Sequence, residues 1–270
     1  MALFGIVFGA CLILLFLMAP AGRSRGKNPF FGVKWFAHRG LHGAGVSENS
    51  RAAFQLAMEK RYGIELDVHL TKDGQLAVFH DDSLMRLCSV PLVPEECTLQ
   101  ELKAHLLPDG QRIPSFPEVL EQVRGNVPLI VEIKSPRIGK TEVARRTWEA
   151  LESYQGQYLV QSFDPFQLRW FKRNKPQVIR GQLAQKVRIE GPFRMKHLPE
   201  WLAGNLLFNR ISSPDYVAYR QEDTKKLCFR LMQSHFHAPL AVWTVKTEAE
   251  AQHNQTICHV QIFEGFQPHQ

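Results

Sequence analysis

Cysteine is sparse in this 270-residue chain and forms no pattern: Cys11, Cys88, Cys97, Cys228 and Cys258 include no CxxC pair, and their odd number leaves one unpaired. The spacing argues against both a zinc site and a disulfide framework, and reduced, cytosolic thiols are the simplest reading. Internal repeats and low-complexity tracts are also lacking. Charge is missing from Met1 to Gly22, where Leu3 to Met18 is nearly all Leu, Ile, Val, Phe, Ala and Gly. That run approaches the roughly 20 apolar residues a bilayer core requires. Ala19-Pro20-Ala21 would also suit a signal-peptide cleavage point. However, no Lys or Arg precedes the apolar run, and Arg23, Arg25, Lys27 and Lys34 follow it. The sequence therefore predicts an uncleaved transmembrane anchor over 1–22, a basic linker over 23–34 and one folded domain over 35–270. The positive-inside tendency puts that domain on the cytoplasmic side, with a secreted or outward-facing protein as the alternative.

The formal charge of +7 is unevenly distributed. Residues 169–196 carry nine Lys or Arg and a single acid, Glu190. No nucleic-acid recognition motif accompanies them, so nucleic acid is not the expected partner. Beside a membrane segment, attraction to anionic lipid head groups is the more economical reading, each nearby base contributing roughly 1 kcal/mol. A merely solvated basic face accounts for the stretch equally well.

Hydrophobic periodicity predicts strands and helices in alternation. Strands are expected at Trp35–Ala37, Ile64–Val68, Leu76–Phe79, 128–133, Tyr158–Phe163, Val178–Leu183, Asn205–Phe208, Leu227–Met232, Leu240–Val245 and Val260–Phe263. Helices are expected at Ser50–Lys60, Leu99–Ala104, Phe116–Val123, Thr141–Tyr154, Pro165–Arg173 and Thr247–His253, with Ser115 as a cap. Strands spaced through helices argue for a parallel sheet covered by helices. Their number suits a closed α/β (β/α)8 TIM barrel better than an open sheet.

In such a barrel the site lies at the C-terminal ends of the strands. His38 and Arg39, Glu65 and Asp67, His80 and Asp81, and Glu132 and Lys134 all fall there. Glu65 and Asp67 are two apart in a strand and share a face. With Glu132, set in an otherwise apolar strand, they make three oxygen donors of the kind Mg²⁺ or Ca²⁺ prefers. Each acid alone could instead be paired with Arg39 or Lys134. Two histidines beside carboxylates suit proton transfer in both directions, and Arg39 and Lys134 bring positive charge to a phosphate. A metal, two acid/base groups and phosphate-binding cations together suit phosphoryl-oxygen cleavage.

The segments His38-Arg39-Gly40, Glu48-Asn49-Ser50 with Phe54 and Ala57, Gly63 followed by Glu65 and Asp67, Thr71-Lys72-Asp73-Gly74, His80-Asp81 and Glu132-Ile133-Lys134 resemble the glycerophosphodiester phosphodiesterase family in order and spacing. Ile113-Pro114 before Glu118-Val119-Leu120, Ser162-Phe163-Asp164 and Trp243-Thr244-Val245 extend the resemblance over residues 35–245. It implies a TIM barrel that cleaves glycerophosphodiesters to glycerol 3-phosphate and an alcohol with one divalent cation. By position, Glu65, Asp67 and Glu132 would hold the metal, and His38 and His80 would be general acid and base. Arg39 and Lys134 would contact phosphate, Asn49 would support the site by hydrogen bonding, and Phe163 and Trp243 would line the pocket.

Two stretches depart from the family pattern. Arg86 is followed by Leu87-Cys88-Ser89 where the family has Thr. The last strand runs from Ile262-Phe263 into Glu264-Gly265-Phe266 instead of Gly, two apolar residues and Thr-Asp. The readings that compete are a lysophospholipase D, whose substrate keeps an acyl chain near Phe193, Leu198, Trp201, Leu202, Leu206 and Leu207, and a catalytically silent membrane-tethered binding protein on the same fold.

Overall fold

The computed structural model describes residues 2–24, 26–135, 137–187 and 194–269. Nine strands form one sheet: β1 (Trp35–Ala37), β2 (Gly63–Leu70), β3 (Leu76–Val78), β4 (Leu129–Ile133), β5 (Tyr158–Ser162), β6 (Arg180–Ala184), β7 (Tyr216–Arg220), β8 (Leu240–Val245) and β9 (Val260–Phe263). Their order is β1-β9-β8-β7-β6-β5-β4-β2-β3, and β1 also pairs with β2. Eight parallel strands therefore close on themselves, leaving no open edge. β3 is added antiparallel to β2 through the turn at Gly74, whose φ of +76° suits glycine.

Local chemistry explains why the helices start where they do. Ser50 accepts a hydrogen bond from the Ala53 N–H, and Thr98, Ser115 and Thr247 each open a reciprocal capping box with the glutamate three residues on. The helices capped by Ser50, Ser115 and Thr247 turn their apolar faces onto the outside of the strands, while the one capped by Thr98 packs Leu102 in a smaller cluster with Ala77 and Phe79. Inside the barrel, Phe36, Ile130, Leu159, Leu183, Tyr216, Ala218, Ala241, Val260 and Ile262 fill the lower layers. Phe30 packs edge-on to Tyr216 at 4.9 Å, stopping that end.

Three strand assignments differ from the sequence reading. Residues 205–208 form a turn between two short helices. Leu227–Met232 lies in the helix Leu227–Ser234, where the inward residues Cys228, Phe229 and Met232 follow helical spacing. The sixth barrel strand is β7, Tyr216–Arg220, an apolar run after Ser213-Pro214-Asp215 that the sequence reading passed over.

The anchor expected over 1–22 is a helix of 17 residues, Ala2–Met18, about 25 Å long at 1.5 Å per residue. Among the described residues no helix is long and apolar enough to cross a membrane. The chain leaves the helix at Ala19-Pro20, and the Ala21 N–H donates to the Pro214 carbonyl at 2.8 Å. Asn209 Nδ2 donates to the Met18 carbonyl at 2.8 Å, and Arg23 forks onto Asp215 at 2.5 and 2.6 Å. Gly26 N–H reaches the His237 carbonyl. Pro214, Asp215 and His237 precede β7 and β8, so this segment docks on the N-terminal end of the barrel. Phe4, Ile6, Val7, Phe8, Leu12, Ile13, Leu14 and Phe16 of the helix stay exposed.

The basic stretch 169–196 does not form one face. Arg180 is buried and bonded to carbonyls and Asp215. Arg169, Lys172 and Arg173 lie on the helix preceding β6, and Lys186, Arg194 and Lys196 follow that strand. Arg25, Arg188, Glu190 and Phe193 lie outside the described residues.

Asp215 is the joint between the N-terminal segment and the barrel, because it accepts from Arg23 and from the Arg180 N–H. Replacing it leaves the buried Arg180 guanidinium without its counter-charge. Asp215→Ala is expected to lower unfolding free energy by about 3 kcal/mol in a urea titration. Arg23→Ala, whose own side chain is half exposed, is expected to cost about 1 kcal/mol.

Candidate active site

Glu65 and Asp67 alternate with apolar residues along β2 and point into the upper barrel, both about 1 % exposed. In the register between strands Asp67 stands opposite Glu132 of β4, and Glu132 opposite Gln161 of β5. Glu65, Asp67 and Glu132 each offer an oxygen within 4.8 Å of the other two. The expected carboxylate trio is thus assembled by strand register.

Three buried negative charges require compensation. Lys134 Nζ lies 2.6 Å from Glu132 Oε1 and 2.9 Å from Asp67 Oδ1. Asn49 Nδ2 donates to Asp67 Oδ2 at 2.8 Å. Glu65 accepts from the Arg39 N–H at 3.0 Å and from Gln161 Nε2 at 3.3 Å. The turn that aims the Arg39 N–H has φ +56° at Arg39 and +79° at Gly40. A Cβ on Gly40 would meet the Ala53 Cβ at 2.8 Å, so that position requires glycine. The Arg39 side chain donates to Glu48 at 2.6 Å, and its Nε stands 3.7 Å from Asp67.

The pKa directions follow from this layout. Burial, then the charges of Asp67 and Glu132, hold the Glu65 carboxyl well above the usual range. Burial also acts to raise Asp67, but Lys134, His80 and Arg39 outweigh it and hold Asp67 below its ordinary value. Lys134 is buried, yet Asp67 and Glu132 raise it and keep it charged. Three carboxylates against Arg39 and Lys134 leave one excess negative charge, and one carboxyl is correspondingly reluctant to ionise. All-oxygen donors with that excess suit a hard divalent cation.

Each histidine is tied through Nδ1 to a carboxylate. His80 Nδ1 meets Asp81 Oδ1 at 2.6 Å, and Arg86 clamps Asp81 while also donating to Glu48. His38 Nδ1 meets Glu264 Oε2 at 2.6 Å. The Nε2 atoms are left for chemistry. His38, Arg39, Glu65, His80, Glu132, Phe163 and Trp243 line one cavity of about 370 Å³. Phe163 and Trp243 meet edge-on there, 5.7 Å between ring centres.

Residues 38–260 match the glycerophosphoryl diester phosphodiesterase family model. The chain belongs to that family. As a member it is a phosphoric diester hydrolase. A glycerophosphodiester phosphodiesterase from Caldanaerobacter subterraneus is 31 % identical over 215 residues, covering 71 % of this chain and 88 % of the relative. A human lysophospholipase D is 31 % identical over 169 residues, 56 % of this chain and 52 % of that protein. An Oleispira antarctica phosphodiesterase, solved with the product sn-glycerol-3-phosphate, superposes with a TM-score of 0.70 at 22 % identity, covering 87 % of this chain and 93 % of the other. At that identity the superposition speaks for the fold.

Within this family member, several site residues escaped the sequence reading. Gln161 and Tyr216 form a relay to Glu65. Gln161 had a legible signal, a polar residue mid-strand between Val160 and Ser162. Arg86 lies away from the carboxylate trio yet joins Asp81 to Glu48, and through Glu48 to Arg39. Glu264 was noted only as a departure from pattern. Beside the polar cavity, and sharing Glu132, Phe163, Leu183, Gln185 and Arg220 with it, opens a second cavity of about 680 Å³. Its walls include Ile133, Ile138, Pro165, Phe166, Ala184 and Phe208.

A raised Glu65 pKa means that the folded state holds a proton there which the unfolded chain has released above its ordinary value. Without a divalent cation, stability from this group is therefore lost as pH climbs from about 4.5 towards the raised pKa. In EDTA at pH 7, Glu65→Gln is expected to be more stable than wild type by about 1 kcal/mol. With millimolar Mg²⁺ or Ca²⁺ the order should reverse. Thermal melts of both proteins in both buffers check the sign.

Proposed function

We propose that the chain cleaves glycerophosphodiesters to glycerol 3-phosphate and an alcohol, serving glycerophospholipid metabolism, with one divalent cation, Mg²⁺ or Ca²⁺, held by Glu65, Asp67 and Glu132. The observation that carries this reading is that Glu65 and Glu132, with Asp67 close behind them, meet two carboxylate-paired histidines at one 370 Å³ cavity. A bound divalent cation would neutralise phosphoryl oxygens and turn the site's excess negative charge into the positive charge that a monoanionic diester requires.

The side chains then do the following. Arg39 and Lys134 bind and orient the phosphate. One histidine takes the proton of the nucleophile, either water or the neighbouring glycerol hydroxyl, as the new P–O bond forms; attack by the hydroxyl closes a cyclic phosphate, which water then opens to glycerol 3-phosphate. The other gives its Nε2 proton to the leaving oxygen as the old P–O bond breaks. Asn49 holds Asp67 in place, and the edge-on Phe163 and Trp243 rings wall the glycerol or leaving group away from water.

The N-terminal helix supports attachment to a membrane, with the catalytic domain on the cytoplasmic side. Arg210 stacks over Phe16 near the end of the exposed apolar residues, and its carbonyl accepts from Lys172 Nζ, two cations suited to anionic head groups. That helix sits on the N-terminal end of the barrel, opposite the site, and such a mouth faces the water-soluble diesters. The second reading, a lysophospholipase D, draws on the 680 Å³ cavity that opens off the site, whose walls combine Ile133, Ile138, Phe166 and Phe208 with charged residues such as Lys186 and Arg220.

The test is release of glycerol 3-phosphate from glycerophosphocholine and glycerophosphoethanolamine, and of lysophosphatidic acid from lysophosphatidylcholine, by the full chain with Mg²⁺, Ca²⁺ or EDTA. Cation-dependent turnover is expected, with a loss of about 10²- to 10⁴-fold in His38→Ala and in His80→Ala. Preference for the lysolipid would select the second reading, and no turnover of any substrate with either cation would leave a silent binding protein. Membrane attachment is read separately. The full chain should sediment with anionic vesicles, and Phe8→Asp with Leu12→Asp should release it.

A further inference from the structure

The sequence departs from its family at the end of the last strand, and the structure puts the departing residue against a proposed acid/base group. β1 and β9 are register neighbours, with Ala37 opposite Phe263. The next residues on each strand are His38 and Glu264, so the barrel closure itself brings them side by side although 226 positions separate them. Both backbones are pinned: His38 N–H donates to the Phe263 carbonyl at 2.9 Å and Glu264 N–H to the Val245 carbonyl at 3.0 Å. Neither residue can drift without opening the barrel seam.

The Glu264 side chain is itself held at both oxygens. Oε2 lies 2.6 Å from His38 Nδ1 and 3.8 Å from His42 Nε2, and Oε1 lies 2.9 Å from Lys246 Nζ. A carboxylate only accepts hydrogen bonds. Its partner nitrogen on a neutral imidazole must therefore carry the hydrogen, leaving the lone pair on Nε2. A neutral hydroxyl side chain in place of Glu264 would both donate and accept, so it would not impose one tautomer. The geometry also repeats that of the other histidine, which has Asp81 at its own Nδ1.

We infer that Glu264 is a positioning residue for His38, fixing its ring orientation and its Nδ1–H tautomer so that Nε2 serves the reaction. Burial pulls His38 towards the neutral form while the bond to Glu264 opposes that pull. The carboxyl of Glu264, held by His38 and His42, lies well below the usual range and stays an acceptor. The consequence for turnover rests on the phosphodiesterase reading above; the tautomer does not.

Two readouts on the full-length protein test the inference. The first is the nitrogen-15 histidine spectrum, compared between wild type, Glu264→Gln and Glu264→Asp, with His38→Gln used to assign the signal. Wild type should show His38 protonated at Nδ1 when neutral. Glu264→Gln, whose amide both donates and accepts, should lose that single tautomer, and Glu264→Asp should keep it in part. The second is steady-state kinetics on glycerophosphocholine with the cation. Glu264→Gln is expected to lose at least 30-fold in kcat with KM within threefold, and Glu264→Asp should recover part of that loss. An unchanged His38 spectrum in Glu264→Gln, or a kcat within threefold of wild type, overturns the inference. If the wild type turns over none of the diesters, the reaction reading fails while the spectrum still decides what Glu264 does.

Discussion

Three carboxylates confined within 4.8 Å of one another in the upper barrel are the constraint to which the neighbouring residues answer. Burying charges of one sign is costly unless each is paired or hydrogen-bonded. Lys134 answers on one side, Asn49 on another and the Arg39 N–H from below, and each needs a specific backbone to deliver it. The left-handed turn at Arg39 and Gly40, packed against Ala53, is what delivers the Arg39 N–H to Glu65. Around this inner group a second ring of charge, Glu48, Arg86 and Asp81, fixes Arg39 and His80 by hydrogen bonds. The incomplete neutralisation at the centre is a chemical feature of the fold, since fully matched carboxylates would have no affinity to spare for a cation.

The two ends of the barrel are consequently specialised. At the N-terminal end, Phe30 and Tyr216 close the interior, and Asp215 ties the incoming segment to β6 and β7. None of the carboxylates or histidines of the site lies there. At the C-terminal end the strands finish in His38, Glu132, Phe163, Gln185, Arg220, Trp243 and Glu264, all within or beside one polar cavity. Packing carries one end and electrostatics the other, and the N-terminal helix joins the packed end.

Much of this was legible in the sequence, and the reason differs by residue. The acids of β2 and β4 could be read because a charged side chain inside an apolar strand has few structural uses. His80 and Asp81 could be read because the partner is the next residue. Glu264 could not, because its partner lies across the barrel closure and only register brings them together. Gln161 offered the signal of a polar residue in mid-strand, but its partners, Glu65 and Tyr216, come from other strands and only the closed barrel brings them to it. Secondary structure failed where apolar runs are short, at Tyr216–Arg220 and Leu227–Ser234, because a run of four or five apolar residues fits both periods until tertiary packing chooses. The anchor was read over 1–22, whereas the helix ends at Met18, because Pro20 and the bond from Ala21 to Pro214 turn the chain onto the barrel.

The symmetry between the two histidines is the last consequence of the closure. One carboxylate partner, Asp81, comes from the adjacent residue and is stiffened by Arg86; the other, Glu264, comes from the far end of the chain and is stiffened by Lys246. A substitution at the end of the final strand therefore changes the environment of a histidine near the start of the first, with no change in between. Because the carboxylate reaches Nδ1 in both cases, each imidazole has a fixed ring plane and one free nitrogen, the condition for two groups to exchange acid and base roles over a catalytic cycle. A shorter neutral side chain at position 264 would leave that condition met at His80 alone.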